Sequence, residues 1–183
     1  MPDEPFPRLM DENAKKNALR MIPYGLYIVG AREADASPEA LRAGDALHQE
    51  KLNAFLASWV SQCSFKPPLV MMGIKGDSRS HRMLLESGVV TLNLLGEGQK
   101  DVAAKFFKDI KWQDGTANGV PYTVGANGCP HFPDMPATLE ARIVHHWSGG
   151  DHTVFVAEVT DAVHRKEGAK PLTHADTGWH YGG

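Results

Sequence analysis

The sequence predicts a mainly β fold, an antiparallel barrel carrying a few short helices. Three observations lead there. Apolar runs of strand length are separated by turn signals. Two long alternating segments are joined by Ser148-Gly149-Gly150-Asp151. No regular strand–helix–strand alternation appears, so a doubly wound parallel sheet is not expected. The 183 residues suit one domain spanning 1–183.

Each element has its own warrant. Asp11 can cap a short helix with Ala14, Ala18, Met21 and Ile22 on its apolar side, ended by Pro23. Tyr24 to Ala31 is rich in strand formers. Arg32 to Glu50 turns polar and Ala-rich, a long connection inside a hairpin with a helical turn near Pro38 to Gly44. Leu52 to Val60 reads as the return strand, followed by a polar turn at Gln62 to Lys66. Pro67-Pro68 then sets the entry of Leu69 to Ile74, whose continuous apolar run reads as a buried strand.

Lys75 to His81 leads into a helix carrying Met83, Leu84 and Leu85, stopped by Gly88. Val89 to Leu95 is a further strand. Lys100 to Phe107 is a short helix burying Val102, Ala103, Phe106 and Phe107. Lys108 to Asn127 is polar and Gly-rich, an exposed loop. Thr138 to Trp147 and Thr153 to Val163 form an antiparallel hairpin.

Composition removes several classes of function. A net charge of −3 leaves no basic excess for nucleic acid or an anionic membrane. No run approaches the roughly 18 apolar residues of a membrane span. The acidic, Pro-rich start, Met1 to Glu12, is unlike a signal peptide. Cys63 and Cys129 make no disulfide framework, which points to a reducing, cytoplasmic compartment. His145 and His146 are adjacent in a strand and should face opposite ways. Cys129-Pro130-His131 lacks zinc-ligand spacing, so no metal site is expected. Nucleotide P-loop, Gly-x-Gly-x-x-Gly and Gly-x-Ser-x-Gly patterns are absent from the chain.

Two segments carry candidate chemistry. Ser58-Trp59-Val60-Ser61 places two hydroxyls and an indole where a structural strand would carry aliphatics. Such an edge suits a flat, polar-rimmed ring, read here as a flavin. The plain alternative is Trp59 as core, in which case Ser61 would share its buried face and need a partner. The second segment is the turn Lys75-Gly76-Asp77-Ser78-Arg79-Ser80-His81 at a helix start. Free amides and hydroxyls converge there on a partial positive charge, Arg79 can grip a phosphate, and Lys75 adds a point charge. Its plain alternative is an ordinary cap by Asp77 or Ser78. His152, just past the glycine turn, either donates to an anionic ring or a substrate or is a solvent-exposed turn residue. Flat head, polyol and dianionic tail is the layout of FMN, and the two segments lie one buried strand apart.

Four blocks in order resemble the flavin reductase family, whose fold is the FMN-binding, Greek-key split β-barrel. They are IPYGLYIVGA, the long stretch from LNAFLASWVSQCSFKPP to VVTLNLL, GDHTVFVAEVTDA and the tail PLTHADTGWHYGG. The resemblance covers roughly Met21 to Gly183. It implies a homodimer with FMN near the interface. Asn53, Phe55, Ala57, Ser58, Trp59, Val60, Ser61 and Gln62 fall where the family contacts the ring and ribityl chain. Ser78, Arg79 and Ser80, with Lys75, fall where it holds the phosphate. His152 falls where a histidine faces the flavin or the nicotinamide, and Trp179 to Gly183 would cover the site or the partner chain. The implied activity is an FMN-dependent NAD(P)H oxidoreductase reducing a flavin or a protein acceptor. A flavoredoxin-like FMN carrier with weak NAD(P)H activity, or a cofactor-free split-barrel binding module, is the alternative.

Overall fold

The computed structural model describes residues 10–44 and 46–181, with no side-chain description at 46 and 47. The expectations touching Met1 to Leu9, Asp45, Gly182 and Gly183 therefore lie outside the described residues. In chain order the elements are α1 (Glu12–Leu19), β1 (Tyr27–Arg32), α2 (Pro38–Arg42), α3 (Ala46–Gln49), β2 (Leu52–Ala57), β3 (Val60–Ser64) and β4 (Leu69–Lys75). Next come α4 (Arg79–Ser87), β5 (Val89–Leu94) and α5 (Lys100–Ala104), which runs into a single 3₁₀ turn. Five two-residue strands follow: β6 (Trp112–Gln113), β7 (Thr116–Ala117), β8 (Val120–Pro121), β9 (Thr123–Val124) and β10 (Pro130–His131). The chain ends in β11 (Ala137–Ser148), β12 (His152–His164) and α6 (His174–Thr177).

Seven strands make one antiparallel sheet in the order β2-β1-β5-β11-β12-β4-β3. Its two end strands, β2 and β3, are consecutive in the chain and joined only by Ser58 and Trp59. Three Cα steps span at most about 11 Å, so the sheet must curl until its ends meet. They meet without ladder bonds, since β2 pairs only with β1 and β3 only with β4. The result is a split barrel. α4 plugs it: Met83 and Leu84 pack with Val29, Val70, Met72, Val90, Leu92 and Phe155 in one buried cluster. A second cluster around Ile28, Leu95, Phe106, Phe132 and Met135 holds the outer helices and short strands.

Several sequence expectations need correction. The return strand does not run through Val60; it breaks at Ser58-Trp59. There the Val60 amide donates to the Ser58 carbonyl at 2.9 Å and the Gly73 amide to the Trp59 carbonyl at 2.9 Å. The alternation is lost at that break, and Ser61 is exposed rather than buried beside Trp59. β4 alternates instead of being buried throughout, with Met71 exposed. α1 is capped by Asp11 as expected but buries none of its residues, and Met21 is 82 % exposed. Phe107 is likewise exposed.

Lys108 to Asn127 is not an open loop. Its two-residue strands bury Ala117 and Val120, and they reverse at Asp114-Gly115 and Asn118-Gly119, all four residues at positive φ. Asp-Gly and Asn-Gly are direct hairpin signals. After a register shift between Ile143 and His145, His145 and His146 pair with Val156 and Phe155 at successive ladder positions, as alternation requires, with their ring centroids 6.4 Å apart. Among the described residues no group of three metal-ligating side chains forms, and no helix is long and apolar enough to cross a membrane.

Candidate functional site

Where the barrel splits, a cleft of about 260 Å³ opens. Phe55, Ala57 and Ser58 line one side, at the free edge of β2, with Trp59 from the connector. Gly73 and Ile74 of β4 also line it. Lys75, Ser78 and Ser80 come from the turn into α4, and Leu26, Phe107, His174 and Tyr181 complete the wall. The two segments singled out in the sequence thus share one cavity.

Local chemistry explains how each side chain is held. The Ser78 hydroxyl donates to the Lys75 carbonyl at 2.8 Å and accepts from the His81 amide at 3.1 Å, so it caps α4 and closes the turn. Asn53 does not line the cleft, but its side-chain amide donates to the Ser80 hydroxyl at 2.9 Å and ties β2 to α4. Trp59 seats against Gly73, where an added Cβ would approach its ring to 3.0 Å. A side chain at this position would crowd the indole, so glycine favours the close approach.

Not every candidate is gathered. Val60, Ser61 and Gln62 line two neighbouring grooves and not the cleft. Arg79 also stays out of the cleft. Its guanidinium donates to the Glu50 carbonyl at 2.7 Å and lies 3.5 Å from the Glu33 carboxylate. Both partners belong to the polar excursion after β1, whose reach the sequence does not reveal. Lys75 pairs with Asp77 at 3.5 Å.

His152 packs on Trp59 with ring centroids 4.6 Å apart. Its Nδ1 is 2.9 Å from Asp151 Oδ1 and its Nε2 is 2.8 Å from the Tyr181 hydroxyl. A carboxylate only accepts, so Nδ1 carries hydrogen toward Asp151, and the Nε2 of a neutral ring accepts from Tyr181. The bond from His152 holds the Asp151 carboxyl below its usual range. Burial, then the Asp151 charge, pushes the Tyr181 phenol up, with Lys75 opposing. Tyr181 lines the cleft and His152 does not.

The tail carries more of the wall than the sequence suggests. Trp179 packs edge-on against Phe107 at 4.7 Å and lies under the Lys100 ammonium. His174 donates from Nδ1 to the Trp179 carbonyl at 2.9 Å. A capping box between Thr173 and Asp176 starts α6, and Gly178 ends it at positive φ. The spacing Thr-x-x-Asp, with a following glycine, was the available signal for that helix. Two polar atoms on cleft residues are buried without a hydrogen-bond partner: Trp59 Nε1, a donor, and His174 Nε2, left as an acceptor by the Nδ1 bond. Neither atom reaches solvent, so a bound ring would supply the missing partners by displacing the packing that covers them. The residues present fit a planar heterocycle with an anionic tail.

Comparison with known proteins agrees with this geometry. The chain is 28% identical over 188 residues to the flavin reductase (NADH) of Kitasatospora aureofaciens, covering 95% of this chain and 87% of that one. It is 28% identical to diflavin flavoprotein A 1 of Synechocystis over 94% of its own length, but spans only 28% of that longer relative. The NADH:FAD oxidoreductase SgcE6 of Streptomyces globisporus shares the fold, with a TM-score of 0.69 at 23% identity over 93% of this chain and 89% of that one. The family model described as flavin reductase like domain matches residues 19–183. The split barrel, the shared cleft and that match over nearly the whole length make the chain a member of the flavin reductase like domain family.

Proposed function

We propose that this chain is an FMN-dependent oxidoreductase that accepts hydride from NAD(P)H and passes the electrons to a free flavin or a protein acceptor. One observation carries the reading: the ring-edge segment and the helix start line a single cleft. The Kitasatospora relative, named as an NADH-using flavin reductase, supports a nicotinamide donor.

The flavin supplies hydride acceptance when bound. The chain's own residues bind and orient. Free backbone groups at the edges of β2 and β3 face the split and can pair with a ring rim. Trp59 Nε1 donates to the ligand and His174 Nε2 accepts from it. Lys75, Ser78 and Ser80 hold the phosphate at the start of α4. Trp59 and Tyr181 wall the cleft, with His152 packed against both rings, and no side chain needs to act as acid or base for hydride delivery.

Exposed apolar side chains beside the split support a homodimer. Ile22 and Met71 line a groove of about 440 Å³ with Trp59 and Val60, and Phe65 is 86 % exposed nearby in sequence. Free Cys63 and Cys129 suit a reducing cytoplasm. A second reading, an electron carrier slow toward nicotinamides, is favoured by the Tyr181 bond that occupies His152. The visible spectrum of the purified protein, the mass of any released chromophore and stopped-flow bleaching by NADH and NADPH separate these. A colourless protein that leaves the fluorescence of added FMN and FAD unquenched would refute both.

A further inference from the structure

The excursion between β1 and β2 is fastened to the phosphate end of the cleft. Its neck is closed by the Glu33 amide donating to the Lys51 carbonyl at 2.9 Å, with Lys51 paired to Asp35 at 2.7 Å. From that neck the Glu33 carboxylate reaches α4. It takes two hydrogen bonds from Arg82, at 3.0 and 3.1 Å, and lies 3.5 Å from Arg79. Glu33 is the shielded member, with its side chain 18 % exposed against 50 % for Arg79.

Arg79 stands between Ser78 and Ser80, and both serines line the cleft. Its backbone is therefore at the phosphate end while its guanidinium is turned away. The remaining cation there, Lys75, is exposed and shared with Asp77. Such an exposed, shared ammonium grips an anion weakly.

We propose that Glu33 is a specificity-determining residue, an internal carboxylate that competes with the flavin phosphate for Arg79 and keeps FMN exchangeable. This rests on the flavin reading above. Without the carboxylate, Arg82 still has Glu86 at 3.1 Å, whereas Arg79 retains only the neutral Glu50 carbonyl. A dianionic phosphate outcompetes a neutral carbonyl for a guanidinium, because charge-assisted bonds are about twice as strong. The polar excursion thus sets how tightly the flavin phosphate is held.

The test is equilibrium binding of FMN and of riboflavin, which lacks the phosphate, to the full chain and three variants. Glu33→Gln should bind FMN about tenfold more tightly, the gain of one charge-assisted bond, with riboflavin unchanged. Glu33→Ser, confirmed folded by its melting curve, should shift the same way. In the Glu33→Gln/Arg79→Ala double variant the gain should vanish. Unchanged or weaker FMN binding in both single variants overturns the proposal, as does a gain that survives loss of Arg79. If neither flavin binds any of these proteins, the flavin reading itself falls and takes the proposal with it.

Discussion

Replacing Trp59 by phenylalanine should move stability and ligand affinity in different ways. In the free chain the indole Nε1 is buried with no partner. A buried donor left unpaired costs about 1–3 kcal/mol. Trp59→Phe removes that donor and keeps an aromatic ring facing His152 and Tyr181, whose centroids lie 4.6 and 5.3 Å from the indole. The smaller ring gives back apolar contact worth about 1–2 kcal/mol. These effects oppose each other, so unfolding free energy should change by less than about 1 kcal/mol. Flavin binding gains no such compensation, because the phenyl ring has no N–H to offer the ligand in place of the indole's. Affinity should fall about tenfold, the equivalent of one satisfied donor. Urea unfolding and fluorescence titration with FMN measure the two quantities on the same preparation. Undiminished affinity, or a stability loss of the 3–5 kcal/mol size seen when large aromatic side chains are emptied from a core, would show that Trp59 is a packing residue and refute the reasoning.

Two further outcomes are expected. Tyr181→Phe deletes the hydrogen bond to His152 but keeps the ring in the cleft wall, so hydrogen exchange in residues 179–181 should accelerate about three- to tenfold while the melting temperature holds. Exchange at the wild-type rate would mean that Trp179, packed by Phe107 and Lys100, fixes the tail by itself. Acid should destabilise the fold before its carboxylates titrate. Burial pushes His81 below the ordinary imidazole value, the His146 charge adding to it, and pushes His131 down despite Glu140. A histidine depressed in the folded state is protonated more readily in the unfolded chain, so its stabilisation is complete above about pH 6.5 and is lost as pH falls below that value. Melting temperatures at steps from pH 7.5 to 5.5 should decline over that window, and a flat profile would contradict the assignment.

The sequence showed the long elements and hid the short ones, for physical reasons. β11, β12 and α4 are long enough for a pattern of period two or a cap at each end to stand out, and their limits fall close to those expected. The split was implied by the family resemblance, but the residue pattern did not show where it falls. Ser58-Trp59 follows six residues of good strand, and only the pairing of β2 with β1 and of β3 with β4 reveals that the chain changes its ladder there. The strands between Trp112 and Val124 were missed because two-residue ladders carry no period, although Asp114-Gly115 and Asn118-Gly119 announced the turns. At the site, residue type pointed correctly to Ser58, Trp59, Lys75, Ser78 and Ser80 as neighbours. It failed for Arg79, whose direction depends on a carboxylate 46 positions earlier. Leu26, Phe107 and His174 offered no sequence sign at all, since each reaches the cleft only through tertiary packing.

The split also explains why the site lies where it does. An open sheet has two edges, each a row of unpaired amides and carbonyls that invites pairing with another chain. Here the topology brings both edges together at one two-residue connector. Full closure would remove the edges but also fill the gap. By stopping short, the barrel keeps backbone donors and acceptors facing a narrow slot. Trp59 is carried into that slot by the same two residues that prevent closure, and Gly73 leaves room for it. α4 begins one strand away because β4, which pairs with β3, ends in the turn that Ser78 caps. That the β2 margin and the start of α4 line one cleft is therefore the consequence of a single topological event. A change that let β2 and β3 zip together would cost the protein its cleft while leaving its core intact.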